Sequence, residues 1–349
     1  RIIIDDVLLD DQSGKEMLKI TRLSAKFDII PLFNGKITIS SVQLFGFNIN
    51  LNKPAPHMEP NFKFVLDAFA SKDTVKTKKD IDLRINSILI RRGKLSYDVL
   101  SEEETPGKFN PQHIKLHNII ANISLKALQN DSINAAIKRL SVDEQSGFEL
   151  RKLSLKVIAN NKGMKIENFA IEMPGTEMKM DTIRMEYDSL KALNHFADNV
   201  RFSFRTLPSH VTLNDISAFV PALSNFKEKL DLNIDVEGTL NQLNCRTLKI
   251  NAGDKFRLKG DVSLQDLSRP QDAYVYGHLA NLSANKEGIG FLVRNLSPHY
   301  NGVPPVLQHL GNTSFHGEIS GYFTDLVMYG LFRTAVSYTH LTLPTNSLV

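Results

Sequence analysis

Apolar and polar residues alternate along much of this chain, and at several places a glycine interrupts the alternation. The phrase reads Val42-Gln-Leu44-Phe-Gly46-Phe-Asn-Ile49-Asn-Leu51. It returns as Ile171-Glu-Met173-Pro-Gly175-Thr-Glu-Met178-Lys-Met180 and as Leu248-Lys-Ile250-Asn-Ala-Gly253-Asp-Lys-Phe256-Arg-Leu258, with a shorter version from Ile88 through Gly93 to Tyr97. Period-two alternation broken by a glycine predicts a β-hairpin with one apolar and one polar face. Val200–Phe204 and Leu230–Val236 alternate without a break. Continuous apolar runs are rare, which favours half-buried antiparallel strands over a buried parallel sheet. Helical spacing links Phe62, Val65, Leu66 and Phe69, with Asn61 as cap, and Ile289, Leu292, Val293 and Leu296. Weaker helical spacing joins Ile216, Phe219, Val220 and Leu223, limited by Pro221, and Leu190, Leu193 and Ala197. The expected fold is all-β with minor α: an elongated, repetitive antiparallel sheet with short capping helices, and the alternation alone fits both a sheet curled into a groove and a closed sandwich.

Larger repeats accompany the phrase. Asp10-Asp-Gln-Ser-Gly14 recurs as Asp143-Glu-Gln-Ser-Gly147, so residues 10–51 and 143–180 read as two copies of one unit. A second repeat has an offset of 83 and pairs Pro221 with Pro304, Leu232 with Phe315, Val236 with Ile319, Gly238 with Gly321, Leu240 with Phe323, Leu243 with Leu326 and Leu248 with Leu331. It fails at Ile234 and Gly317. These repeats divide the chain into a β-rich segment 1–187, a β-rich segment with short helices 188–334, and a tail 335–349. The tail breaks the preceding pattern and reads as non-native sequence. The start at Arg1, running straight into Ile2–Ile4, reads as a cut inside a longer protein.

Bulk composition narrows the function classes. The 349 residues are 42% hydrophobic, which argues against general disorder. Lys and Arg number 42 against 38 Asp and Glu, too slight and scattered an excess to argue for nucleic acid. The densest basic group, Lys76, Lys78 and Lys79, is flanked by Asp73, Asp80 and Asp82 and reads as a solvated loop. Cys245 is the single cysteine, so no internal disulfide forms. No apolar run reaches the ~18 residues that a membrane-spanning helix needs.

Catalytic signatures are missing: there is no nucleophile elbow, zinc-protease helix, P-loop or dinucleotide fingerprint. His113 and His117 share a face and read as a solvent-facing pair on a strand rather than a metal site. Glu102–Glu104 beside Thr105-Pro-Gly107 reads as a loop. No catalytic residue, metal or cofactor is therefore expected. The apolar faces remain, and two readings of them stand. One is the dry core of a closed sandwich, in a structural or adhesive β-repeat protein. The other is an open groove lined by Val42, Leu44, Ile49, Leu51, Ile171, Met173, Met178, Met180, Leu248, Ile250, Phe256 and Leu258. Burying a methylene gives about 0.8 kcal/mol, so a dozen of them gain on the order of 10 kcal/mol without any polar contact.

The opening from Val7 through Asp10-Asp-Gln-Ser-Gly14 to Leu51 resembles the amino-terminal part of AsmA-like and TamB-like proteins. The order Asp215–Pro221, Val236-Glu-Gly-Thr-Leu240, Leu248–Gly253 and Phe256-Arg-Leu-Lys-Gly260 is similar to a recurring TamB block, which begins again at Pro304. The resemblance covers nearly all of 1–334. It implies a non-enzymatic periplasmic protein of Gram-negative bacteria, attached to the inner membrane by an amino-terminal helix outside this fragment. It implies a hydrophobic groove for phospholipid acyl chains moving toward the outer membrane. It also implies an outer-membrane barrel partner of the Omp85 class, bound through a region outside this fragment and used in protein assembly there.

Overall fold

A computed structural model describes all residues except 29–37, 71–83, 130–131, 270, 297–301, 303–306, 308, 323–324, 336–337 and 345–349. The lysines at 76, 78 and 79 lie outside the described residues, as do Pro304 and Phe323 of the second repeat. Strand makes up 63% of the chain and helix 11%, so the fold is all-β with minor α. The chain forms two compact units, 1–156 with 215–221, and 157–214 with 222–349. The segment 1–187 thus contributes to both.

In the first unit, β1 (Ile2–Asp10), β2 (Glu16–Asp28) and β3 (Thr38–Lys53) pair antiparallel in chain order. β4 (Arg84–Ile85) and β5 (Ser87–Val99) then lie parallel to β3, and β6 (His113–Gln129) and β7 (Ser132–Glu144) resume the antiparallel order. A parallel neighbour requires a crossover, and the connection from β3 to β4 carries α1 (Lys63–Ala70). Asn61 does not cap α1. Its side chain accepts from the Asn52 N–H at 3.0 Å and donates to the Asn50 carbonyl at 3.1 Å, tying the approach to α1 onto β3. β8 (Glu149–Asn160) ends this unit and begins the next.

The glycine phrase takes two forms. Gly46 is not a turn: it sits inside the single strand β3 with φ +63°. Gly93 likewise lies inside β5, next to Arg92 at φ 58°. A left-handed residue within a strand switches the phase of its side chains. Phe45 is 40% exposed while Phe47, two residues on, is 7% exposed. This switch puts Val42 and Leu44 on the same face as Phe47, Ile49 and Leu51. A β-carbon at Gly46 would crowd the Thr21 side chain opposite it, so only glycine fits. The two other copies are true hairpins. Pro174-Gly175 joins β9 (Gly163–Glu172) to β10 (Glu177–Lys179), and Gly253 joins β15 (Gln242–Ala252) to β16 (Phe256–Gln265).

The acidic turn recurs as a structure as well as a phrase. The Asp11 carboxylate accepts from the N–H and hydroxyl of Ser13 and from the Lys15 N–H. The Ser13 hydroxyl first, and then the Lys15 N–H, hold its pKa down to about 2. Glu144 takes the same role between β7 and β8, accepting from the N–H and hydroxyl of Ser146.

In the second unit β10 and β11 (Ile183–Glu186) are two halves of an interrupted strand beside β9. β12 (Arg201–Arg205) and β13 (Ser209–Val211), broken at Pro208, continue the sheet to β14 (Leu230–Thr239). Between β11 and β12 runs a 3-10 turn followed by α2 (Phe196–Asn199). Neighbour-to-neighbour antiparallel pairing then runs through β15, β16, β17 (Tyr274–Ala284), β18 (Thr313–Tyr322), β19 (Asp325–Thr334) and β20 (Tyr338–Pro344). The expected helix at 216–223 is only two 3-10 turns, 213–216 and 221–223. The expected helix near Ile289 forms in full as α3 (Lys286–Leu296). Residues 338–344 of the tail add β20 to the edge of β19, as an alternating segment does at an open strand.

The offset-83 repeat corresponds to β14 and β18, whose Gly238 and Gly321 open equivalent hairpins. Past the turn the offset changes. A bulge in β15 between Cys245 and Leu248 has no counterpart in β19, so Leu248 matches Gly330 rather than Leu331.

Candidate functional site

Cross-strand register assembles the apolar residues of the second unit into rows, because paired residues share a face. One row runs Leu232, Ile250, Leu258, Leu282, Phe315 and Phe332. At its near end Leu232 pairs with Ser209, and Met178, one residue from the Glu177–His210 pair, connects the row to Ile171. A second row takes Met180 and Thr206, then Ile234, Leu248, Gly260, Leu279, Gly317 and Gly330. A third takes Ala252, Phe256, Ala284 and Thr313. The opposite face is polar: Asp231, Asn251, Arg257, Ser283, Ser314 and Arg333 form one of its rows. Cys245 sits on the apolar side, 5% exposed, its thiol donating to the Thr247 carbonyl and its pKa raised by burial.

The candidate lining residues therefore fall into two groups. Val42, Leu44, Ile49 and Leu51 share one face of the first unit's sheet. Ile171, Met178, Met180, Leu248, Ile250, Phe256 and Leu258 share the rows of the second, and Met173 closes the β9–β10 hairpin there. Most are half-buried; Met173 and Phe256 are buried. Sequence reasoning missed the part played by α3. Its Ile289 and Phe291 join Val211, Leu230, Ala252, Phe256 and Ala284 in a buried cluster. Asn285 caps α3 by accepting from the Gly288 N–H at 2.8 Å, and its own N–H donates to the Lys255 carbonyl at 3.0 Å. Between α3 and β17–β19 lies an apolar cavity of about 220 Å³.

Comparison with protein-family models, curated proteins and solved structures finds no match to this chain.

One cluster with metal-ligand chemistry stands among the described residues: Asp98, Glu104 and His113. Contrary to the expected solvent-facing pair, His113 is buried at 5% exposure, and only His117 faces solvent. His113 Nδ1 lies 3.0 Å from Asp98 Oδ1, and Nε2 lies 2.9 Å from the Glu102 carbonyl. Both partners are acceptors, so both ring nitrogens donate in the protonated imidazolium, the form this setting favours, and that form holds no lone pair for a metal. The Asp98 hydrogen bond raises the His113 pKa, and burial opposes it only in part. Glu104 is held by Lys115 at 2.9 Å. A raised folded pKa stabilises the fold fully below the unfolded value of 6.5, and that stabilisation drains away as pH rises through the folded value. The urea midpoint of the wild type is thus expected to fall relative to His113→Gln between pH 6 and pH 9. Parallel curves for the two proteins would sink this account.

Proposed function

We propose that this chain is a non-enzymatic part of a periplasmic, bridge-like protein of the AsmA-like and TamB-like kind, and that its apolar sheet faces carry phospholipid acyl chains. The observation that supports this most is incomplete burial. Val42, Leu44, Ile49 and Leu51 in the first unit, and Met178, Leu248, Ile250 and Leu258 in the second, stay half-buried on sides whose reverse is polar. A closed sandwich would bury such residues between two sheets. Alkyl chains laid on these residues remove both surfaces from water, at about 0.8 kcal/mol per methylene. Attachment to the inner membrane and an Omp85-class partner belong to the same reading. The closed-core alternative draws its support from the buried cluster beneath α3.

Mass spectrometry of lipids co-purifying with the chain tests the proposal. Phospholipid is expected with the wild type. It should fall by about tenfold or more in Leu44→Asp and Ile171→Asp, because a carboxylate facing methylenes costs more than about 1.4 kcal/mol of desolvation. Unchanged loading in proteins of unchanged circular dichroism would count against it.

A further inference from the structure

We infer that the polar face of the first unit carries a phosphate-binding cleft centred on Arg91. The cleft lies on the reverse of the strand face that bears Val42 and Leu44, and it does not depend on the acyl-chain reading. Register builds it. Asp5, Arg22, Phe45 and Arg91 are successive partners across β1, β2, β3 and β5, so their side chains share a face. Ile3, Ser24, Gln43 and Leu89 form the next row on that face. Residues of both rows line a cleft of about 570 Å³, together with Arg1, and Asp5 is the one carboxylate in the lining. Arg92 joins through its backbone. Consecutive residues of a regular strand face opposite sides, but Arg92 has φ 58°, and its guanidinium lies 5.7 Å from the centre of the Phe45 ring. Two consecutive arginines therefore flank one exposed aromatic ring.

Charge identifies the ligand. Arg22 is already engaged: its Nε and Nη2 donate to the two Asp5 oxygens at 2.6 and 3.4 Å, and that pair is neutral. Arg1 spends one N–H on the Ser24 hydroxyl at 2.8 Å, a neutral partner. Arg91 has neither an ion pair nor a hydrogen bond among the described residues, and Arg92 meets only the face of Phe45. With the Arg22–Asp5 pair set aside, the guanidinium charges of Arg1, Arg91 and Arg92 face no carboxylate. A guanidinium carries five N–H donors in one plane and no acceptor, so stacking on Phe45 leaves the in-plane donors of Arg92 free. Such a donor set suits a tetrahedral oxyanion. A carboxylate offers two oxygens and one charge, whereas a phosphate group offers three or more oxygens and, as a monoester, up to two charges. A phospholipid headgroup and a soluble phosphate share this chemistry.

Calorimetric titration of the 349-residue chain with inorganic phosphate, acetate and dihexanoyl phosphatidylglycerol in a low-salt amine buffer tests the site. Phosphate should bind one per chain, and acetate about tenfold more weakly or worse. Arg91→Gln should weaken phosphate about tenfold, since it removes a charge-assisted hydrogen-bond donor, and Arg92→Gln about threefold. Both arginines are exposed, so neither variant removes core packing. Asp5→Asn should instead tighten phosphate about threefold, because it removes the competing carboxylate and releases Arg22. A purely structural set of arginines would give no such gain. Arg246→Gln, in the second unit, should change nothing. Arg91-dependent binding of phosphate alone assigns the cleft to a soluble phosphate. Arg91-dependent binding of phosphatidylglycerol, with or without phosphate, assigns it to a lipid headgroup. If neither binds, or if affinity is indifferent to both Arg91→Gln and Arg92→Gln, the cleft is overturned, and the acyl-chain reading of the apolar face is untouched.

Discussion

Phe256→Ala is expected to destabilise the second unit by about 3–5 kcal/mol, the cost of deleting a buried ring whose site cannot collapse. The collapse is blocked on each side. Its cross-strand neighbours are already small, Ala252 and Ala284, so they cannot fill the space. Above it, Phe291 of α3 is 3% exposed and tilts toward Phe256 at 6.4 Å, while Phe226 meets Phe291 edge-on at 5.8 Å. Removing Phe256 leaves Phe291 without its floor. Urea unfolding followed by circular dichroism should show a lower midpoint with an unchanged slope. A loss under about 1 kcal/mol would mean that α3 does not pack on this face.

Gly288→Val is expected to cost about 2–3 kcal/mol by a different route, overpacking a backbone contact. The first turn of α3 lies against the β15–β16 turn, where a β-carbon at Gly288 would fall on the Lys255 carbonyl oxygen. That oxygen is also the acceptor for the Asn285 N–H, so it cannot move away without releasing the cap. The substitution should therefore lift the helix start as well as strain it. Because Gly288 and Phe256 both act through the seating of α3, the double variant should lose less than the sum of the two. Strict additivity in the unfolding curves would refute the shared mechanism.

The alternation by itself determined the strands and their two faces. The rows from Leu232 to Phe332 are assembled from positions two apart in each strand, and a period of two is a local property that the backbone enforces. The apolar spacing of Ile289, Leu292 and Val293 likewise determined α3, and the acidic-Gln-Ser-Gly phrase determined two equivalent turns. What a glycine does inside the alternation was decided only by tertiary structure. Gly175 and Gly253 turn the chain back, while Gly46 and Gly93 let it run on, because the outcome depends on which strand the next segment pairs with. The parallel placement of β5 on β3 is of the same kind, a long-range pairing with no local mark. So is the burial of His113, which needs Asp98 from a neighbouring strand and the Glu102 carbonyl from a loop. The partner of Leu248 in the repeat also moved by one residue, because a single bulge in β15 shifts everything after it. Local periodicity set which side of each strand is apolar, and non-local pairing set where those sides meet and that α3 closes over one end of them, leaving a cavity beneath.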